Sequence, residues 1–437
     1  MIRRSTPRPP VSGRQSRVAI AAWALATAIL VATSGAHRTV ASTDSADASP
    51  QTNAGTWTGT WATALTPASP FDTGRSMSGF ANESIRTIVQ TSIGGDRLRI
   101  RLSNVYGVDD LVIDRATIAR PANPSGPDLD PRSIRTLSFN GSSSVIVPAG
   151  REVFSDPVGM FVPPLSQLAV TMYLPSATGP TSWHWFGRQT AFIYDGDHTT
   201  ASSGAGYTGT VEHVYFLAGV DVRGPFRADG AVAVFGASIS DGFGATLDAN
   251  HRWPDVLARR LTFERHRGRD LGVLNLSLSG NATTHDGDEV GFPEIGRNGL
   301  DRLDEHIYTR SDVRTVIVDL GLNDIFLHND PPALIIDGLR RIAASLRGRG
   351  IRVLLATLSP ADGGANPWTP EREATRQAVN AYIRTTHDAD GVVDIDAALA
   401  DPRNPTKLNP AFDSGDHVHP NDRGNRAIAN AVPLGRL

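Results

Sequence analysis

Two hydrophobic periods divide the chain at Arg223-Gly224-Pro225, and that change of period limits what it can fold into. Before it, apolar residues recur every second position, most clearly in Arg97-Leu98-Arg99-Ile100-Arg101-Leu102, the pattern of a strand with one buried and one wet face. Similar runs fall at 84–93, 110–119, 144–147, 167–174 and 213–222, separated by Gly, Pro, Asn and Asp clusters. The stretch 121–131 reads as a long loop. Many short strands with such turns and no helical stretch predict an antiparallel sandwich of the jelly-roll kind over 55–222.

After the break, continuous Val/Ile/Leu runs alternate with helical segments over 229–437. Strands are expected at 231–236, 273–278, 315–320, 351–358 and 392–395, with helices at 253–261, 337–349, 369–387 and 421–432. Strands apolar on both faces belong in a sheet covered on both sides. The expected fold is therefore α/β, a doubly wound parallel sheet of flavodoxin-like type behind an N-terminal all-β sandwich. In such sheets functional loops gather at the carboxyl ends of the strands.

The 437 residues leave room for a processed N-terminus. Five arginines within the first 17 residues, the apolar stretch 18–33 and the small residues after it read as a secretory signal over 1–41, with cleavage after Ala36 or Ala41. An uncleaved anchor is the alternative. The polar leader 42–54 is expected to be disordered, and the mature protein to be extracellular without stable membrane association. With 42 basic against 45 acidic residues and no long single-sign run beyond the N-terminus, no nucleic-acid preference is expected. The absence of cysteine excludes disulfides, a thiolate nucleophile and cysteine metal sites.

Four turns end apolar runs or lie near the C-terminus: Phe235-Gly236-Ala237-Ser238-Ile239-Ser240-Asp241-Gly242, Leu278-Ser279-Gly280-Asn281, Gly321-Leu322-Asn323-Asp324 and Asp416-His417-Val418-His419-Pro420-Asn421-Asp422. A strand-end serine, and a histidine with an aspartate three residues before it, are the parts that make a hydroxyl nucleophilic. Ser238 lacks the Gly-x-Ser-x-Gly elbow of the α/β-hydrolases, and Ser240 is the alternative serine. Taken singly, each motif also has an ordinary structural reading. Ser238 could cap a helix, Gly280 serve a turn, and Asn323-Asp324 form an Asx turn with Asp324 bonding loop backbone. Asp413, Asp416, His417 and His419 could together ligate a metal.

In this order the four blocks resemble the SGNH hydrolases, also called the GDSL esterase/lipase family. The contexts 246–255 and 413–422, with Gly59-Thr60-Trp61 near the start, are similar to secreted actinobacterial SGNH esterases carrying an N-terminal β domain. One departure is Ala237, where the aspartate before the nucleophile usually stands.

The resemblance implies a serine esterase in which Ser238, His419 and Asp416 form the triad. The N–H groups of Ser238 and Gly280 and the amide of Asn323 would receive the oxyanion. No cofactor and no catalytic metal are expected, and the partner would be a small-molecule or polysaccharide ester. A carbohydrate O-deacylase and a short-chain lipid or aryl esterase both fit. So does an inactive carbohydrate- or wall-binding protein on the same scaffold. Trp183-His184-Trp185 reads either as sandwich core or as a sugar-stacking platform.

Overall fold

A computed structural model describes residues 56–72, 74–224, 228–264, 270–365 and 367–437. The signal and leader assignments at 1–41 and 42–54 lie outside them.

Residues 58–223 form two antiparallel sheets. One runs in the order 58–62, 217–223, 95–103, 152–154, with 158–162 also pairing the third strand. The other has six strands in the order 209–211, 191–195, 83–90, 167–174, 115–119, 135–136. Period-two residues from both sheets, including Ile85, Leu98, Ile100, Leu102, Ile118, Val170, Met172 and Val220, meet in one apolar core. The 121–131 loop is pinned by the buried guanidinium of Arg86, which donates to the carbonyls of Pro127, His198 and Ala201.

The α/β part alternates β1 (Gly230–Gly236), α1 (Trp253–Glu264), β2 (Leu271–Asn275), β3 (Val313–Asp319), α2 (Pro332–Gly348), β4 (Arg352–Ala356), α3 (Pro370–Thr385), β5 (Gly391–Val393) and α4 (Asp422–Ala431). All five strands are parallel, in the order β2-β1-β3-β4-β5. The order reverses beside β1, the switch point at which such sheets place their sites. Alternate residues of each strand serve opposite faces. Ala231, Ala233 and Phe235 pack with Ile335, Leu339, Ile342 and Leu346 of α2 and Val379 and Ile383 of α3. Val232 and Val234 pack with Trp253, Leu257 and Leu261 of α1 and Ile428 of α4. The signposted caps form: Thr369 Oγ1 accepts the Arg372 N–H at 3.3 Å, and Asn421 Oδ1 accepts from Arg423 and Gly424. Helix α2 starts five residues before the expected Asp337, because Pro332 occupies its first turn, where a missing N–H costs no helical bond.

The polar face of strand 95–103 is not wholly wet. Arg97 is exposed, but Arg101 is only 7% exposed. Arg101 pairs with Glu152 at 2.7 Å and donates to the Thr309 carbonyl, so the α/β part covers this end of the sheet. Further bonds join the two parts. The Gly59 N–H donates to the Ser311 carbonyl at 3.1 Å, the Val273 N–H to Ser92 Oγ at 2.8 Å, and the Tyr106 hydroxyl to Glu305 at 2.8 Å. Buried polar contacts of this kind make the joint directional as well as apolar.

Gly272 is needed at this joint. A Cβ there would lie 2.1 Å from the Gly59 carbonyl oxygen, a backbone atom that cannot turn aside. Gly272→Val is expected to cost about 1–3 kcal/mol of stability, as overpacking in a filled interior does. The urea midpoint should fall accordingly. A wild-type midpoint would show that strand 58–62 is not seated on β2.

Candidate active site

Ser238 begins a four-residue helical turn, Ser238–Asp241, directly after β1. Ala237 precedes the turn in an extended conformation and makes no capping bond, so Ser238 is the first helical residue and not its cap. Its N–H belongs to a helix start, where no intrahelical acceptor exists. The alternative Ser240 points away: it is 0% exposed, donates to Asp319 Oδ2 at 2.6 Å and accepts the Trp253 indole N–H at 3.0 Å. It holds α1 against the sheet. Burial pushes the Asp319 carboxyl up to about 6, while the Ser240 bond works in the opposite direction.

The last motif reaches Ser238 across 181 residues of sequence. His419 Nε2 lies 2.8 Å from Ser238 Oγ, and His419 Nδ1 lies 2.6 Å from Asp416 Oδ2. Asp416 Oδ1 also accepts the backbone N–H groups of Val418 and His419. Burial favours the neutral Asp416 acid, but His419 and these N–H groups outweigh it and hold the carboxyl well below the usual range. A carboxylate on Nδ1 fixes the tautomer with Nδ1–H, which leaves Nε2 free to accept the serine proton.

The loop carrying this pair is held at its C-terminal end. Asn421 caps α4, and Asp422 accepts from Thr246 N–H and Oγ1 and lies 2.8 Å from His251 Nδ1. Stretch 246–255 thus anchors the histidine loop to the serine loop. It also reaches the β-rich part, where Asp248 accepts from Gln189 Nε2 and from Thr190 N–H and Oγ1.

The other two turns are each fixed in conformation. Gly280 has φ +87, and a Cβ on it would meet Ile295 at 2.8 Å, so the loop needs glycine on both counts. Asn323 donates one amide hydrogen to the Asn281 carbonyl at 3.0 Å, which fixes its rotamer and leaves the second hydrogen for another acceptor. Asp324 accepts from the N–H and hydroxyl of Thr283, tying the Asn323 turn to the Gly280 loop, as its backbone-bonding role anticipates. Burial pushes its carboxyl up to about 6, against the bonds from Thr283.

Three supporting residues carry no sequence signal of their own. Arg302 is fully buried, stacks 3.7 Å from the centre of the Phe235 ring, and donates to Asn281 Oδ1 and the carbonyls of Leu276 and Gly236. Desolvation pushes its guanidinium down to about 9. One cation therefore ties the ends of β1 and β2 to the Gly280 loop. The other two are Asp241 and His184, whose Nε2 lies 3.0 Å from Asp241 Oδ1. Trp183 is part of the sandwich core at 0% exposure, so it offers no stacking platform. Next to it, Phe186 stacks on Phe243 at 5.1 Å, and Phe243 lies 4.3 Å from the His419 ring.

The metal reading of 413–419 separates into two pairs. His417 bonds Asp413 at 2.6 Å and is exposed, while Asp416 is taken by His419. Among the described residues, His285, Glu289 and His328 bring ligand atoms within 4.8 Å of one another. His285, however, engages Glu289 and Asp330 through its two nitrogens. Its ring also lies parallel to His328 at 3.9 Å, so the nitrogen lone pairs run side by side and do not converge on one point. Among the described residues no helix is long and apolar enough to cross a membrane.

No curated protein matches the chain. Solved structures similar to it include TesA, at 23% identity over 47% of this chain and 97% of that one, with a TM-score of 0.36. An aryl esterase of M. smegmatis is 20% identical over 46% of this chain and 95% of its own, with a TM-score of 0.36. A family two carbohydrate esterase from Cellvibrio japonicus is 12% identical over 85% of this chain and 93% of its own, also at 0.36. Residues 234–427 match the model of the GDSL-like Lipase/Acylhydrolase family, a span that holds all four motif turns. This part of the chain is a GDSL-like lipase/acylhydrolase domain.

Proposed function

We propose that the protein is a secreted serine esterase that hydrolyses carboxylic esters, with an export segment at 1–41, a leader at 42–54, a β-sandwich domain over 55–222 and a catalytic domain over 229–437. The observation that carries the reading is the continuous hydrogen-bonded chain Ser238 Oγ, His419 Nε2, His419 Nδ1, Asp416 Oδ2, with links of 2.8 and 2.6 Å. His419 takes the serine proton as Ser238 Oγ attacks the ester carbonyl, and the negative Asp416 stabilises the imidazolium that forms. The tetrahedral oxyanion is received by the N–H groups of Ser238 and Gly280 and by the free amide hydrogen of Asn323. The imidazolium then protonates the leaving alcohol. Water activated by the same ring releases the acyl group from Ser238.

The alcohol departs on the side of His419, where Phe243 and Phe186 make an apolar wall. That surface suits a small-molecule or polysaccharide ester whose alcohol presents an apolar face. A fluorophosphonate probe is expected to label the wild-type protein covalently and stoichiometrically, and not Ser238→Ala. Failure of folded wild-type protein to react would leave only the inactive carbohydrate- or wall-binding scaffold.

A further inference from the structure

We propose that His184, a residue of the β-rich part, is a positioning residue of the esterase site. It acts through Asp241 on the Ser279-Gly280 loop. The inference rests on the reading of Gly280 as an oxyanion donor.

His184 is 3% exposed, and both its ring nitrogens face acceptors: the Ala64 carbonyl at 2.8 Å from Nδ1 and the Asp241 carboxylate at 3.0 Å from Nε2. A carbonyl can only accept, and so can an ionised carboxylate, so both nitrogens carry hydrogen and the ring is an imidazolium. Burial opposes that charge, but Asp241 and the Ala64 carbonyl outweigh it and hold the ring's pKa above the ordinary histidine value. The other charged group acting on the ring is Arg252, itself paired with Asp255. His213 also senses it, but burial disfavours a charge there.

Asp241 lies three residues after the nucleophile and is 2% exposed. Its second oxygen, Oδ2, accepts both the N–H of Ser279 at 3.0 Å and the Ser279 hydroxyl at 2.7 Å. Ser279 is joined by one peptide to Gly280. Holding Ser279 at its N–H and its side chain therefore limits how the Gly280 peptide can turn. A buried carboxylate left without this donor would swing toward another, which loosens its hold on Ser279. The Nε2–H of His184 keeps it in place. The β-rich part thus supplies one end of the chain that orients the oxyanion loop, which gives the dense interface a role in turnover.

Two polar substitutions separate this role from packing. In His184→Gln the amide extends to the position of Nε2 and still donates to Asp241. In His184→Asn it reaches only the position of Nδ1 and the Ala64 carbonyl. With p-nitrophenyl acetate, His184→Asn is expected to lower kcat about tenfold to a hundredfold with KM nearly unchanged, the scale of a small misplacement of catalytic groups. His184→Gln should stay within about fivefold of wild type. Equal losses in the two variants, or wild-type kcat in both, would overturn the proposal. Should His184→Asn fail to fold, Ser279→Ala tests the chain from its other end. It leaves the His184–Asp241 pair intact and is expected to lower kcat by about threefold or more. Wild-type turnover in Ser279→Ala would also overturn the proposal. Hydrolysis that survives in Ser238→Ala would instead defeat the esterase reading itself.

Discussion

Replacing Ser238 by alanine is expected to lower kcat/KM for ester hydrolysis by about ten-thousandfold to a millionfold, since without the nucleophile only binding and the oxyanion donors remain. The fold should survive, because the lost group is one hydroxyl at the mouth of β1 whose bonding partner is His419. His419→Ala should be about as inactive, and the double variant no worse than either single one, because the two act as a unit. Asp416→Asn is expected to be the mildest of the three. It keeps a side chain at Nδ1 but can offer the ring an N–H as readily as a carbonyl, which favours the wrong tautomer. Asp416 is not expected to limit activity on the acid side, since its carboxyl is held well below the usual range. Ser240→Ala is the control. It breaks the bonds to Asp319 and Trp253 and should lower the unfolding midpoint while leaving kcat within a few-fold. An inactive Ser240→Ala beside an active Ser238→Ala would exchange the two serines' roles.

Most of the architecture was legible because it depends on local period. Continuous apolar runs such as Ala231–Phe235 could only be strands covered on both faces, and Ala231, Ala233 and Phe235 do face one layer while Val232 and Val234 face the other. Helix edges were less accurate, as at α2, where Pro332 rather than the first periodic apolar residue sets the start. At the site, Ser238, Asp416, His419, Gly280 and Asn323 could be nominated because each sits in a turn of distinctive composition. What the sequence could not show is how the turns are held. Arg302 lies in the ordinary polar stretch Asn298-Gly299-Leu300-Asp301-Arg302, yet its three acceptors come from two separate segments, one at the end of β1 and one after β2. His184 sat between two tryptophans and read as part of an aromatic run, but its partner Asp241 is 57 residues away. Pairings of buried charges over such distances have no period and no fixed spacing, so only the assembled fold reveals them. The same holds for Arg101, where strict alternation indicated a wet face before the α/β part was seen to cover it.

Asn323 is where the geometry sharpens an expectation most. Its amide has two hydrogens: one is held by the Asn281 carbonyl at 3.0 Å, and the second is the one assigned to the oxyanion. Asn323→Ala removes both. The first loss leaves a buried carbonyl without a partner and should cost about 1–3 kcal/mol of stability. The second should lower kcat about a hundredfold to a thousandfold with a modest change in KM, because that bond strengthens only as charge develops on the carbonyl oxygen. Asn323→Asp separates the two roles further, since a carboxylate of nearly the same shape has no hydrogen to give. It sets negative charge against both the Asn281 carbonyl and the developing oxyanion, so its kcat should fall below that of Asn323→Ala. If Asn323 only closed a turn, the alanine variant would unfold earlier yet turn over at nearly the wild-type rate, and aspartate, a good turn residue, would restore stability. Measuring kcat and the unfolding midpoint on both variants decides the matter. A destabilised alanine variant of normal turnover would remove Asn323 from the oxyanion site and leave that work to the N–H groups of Ser238 and Gly280.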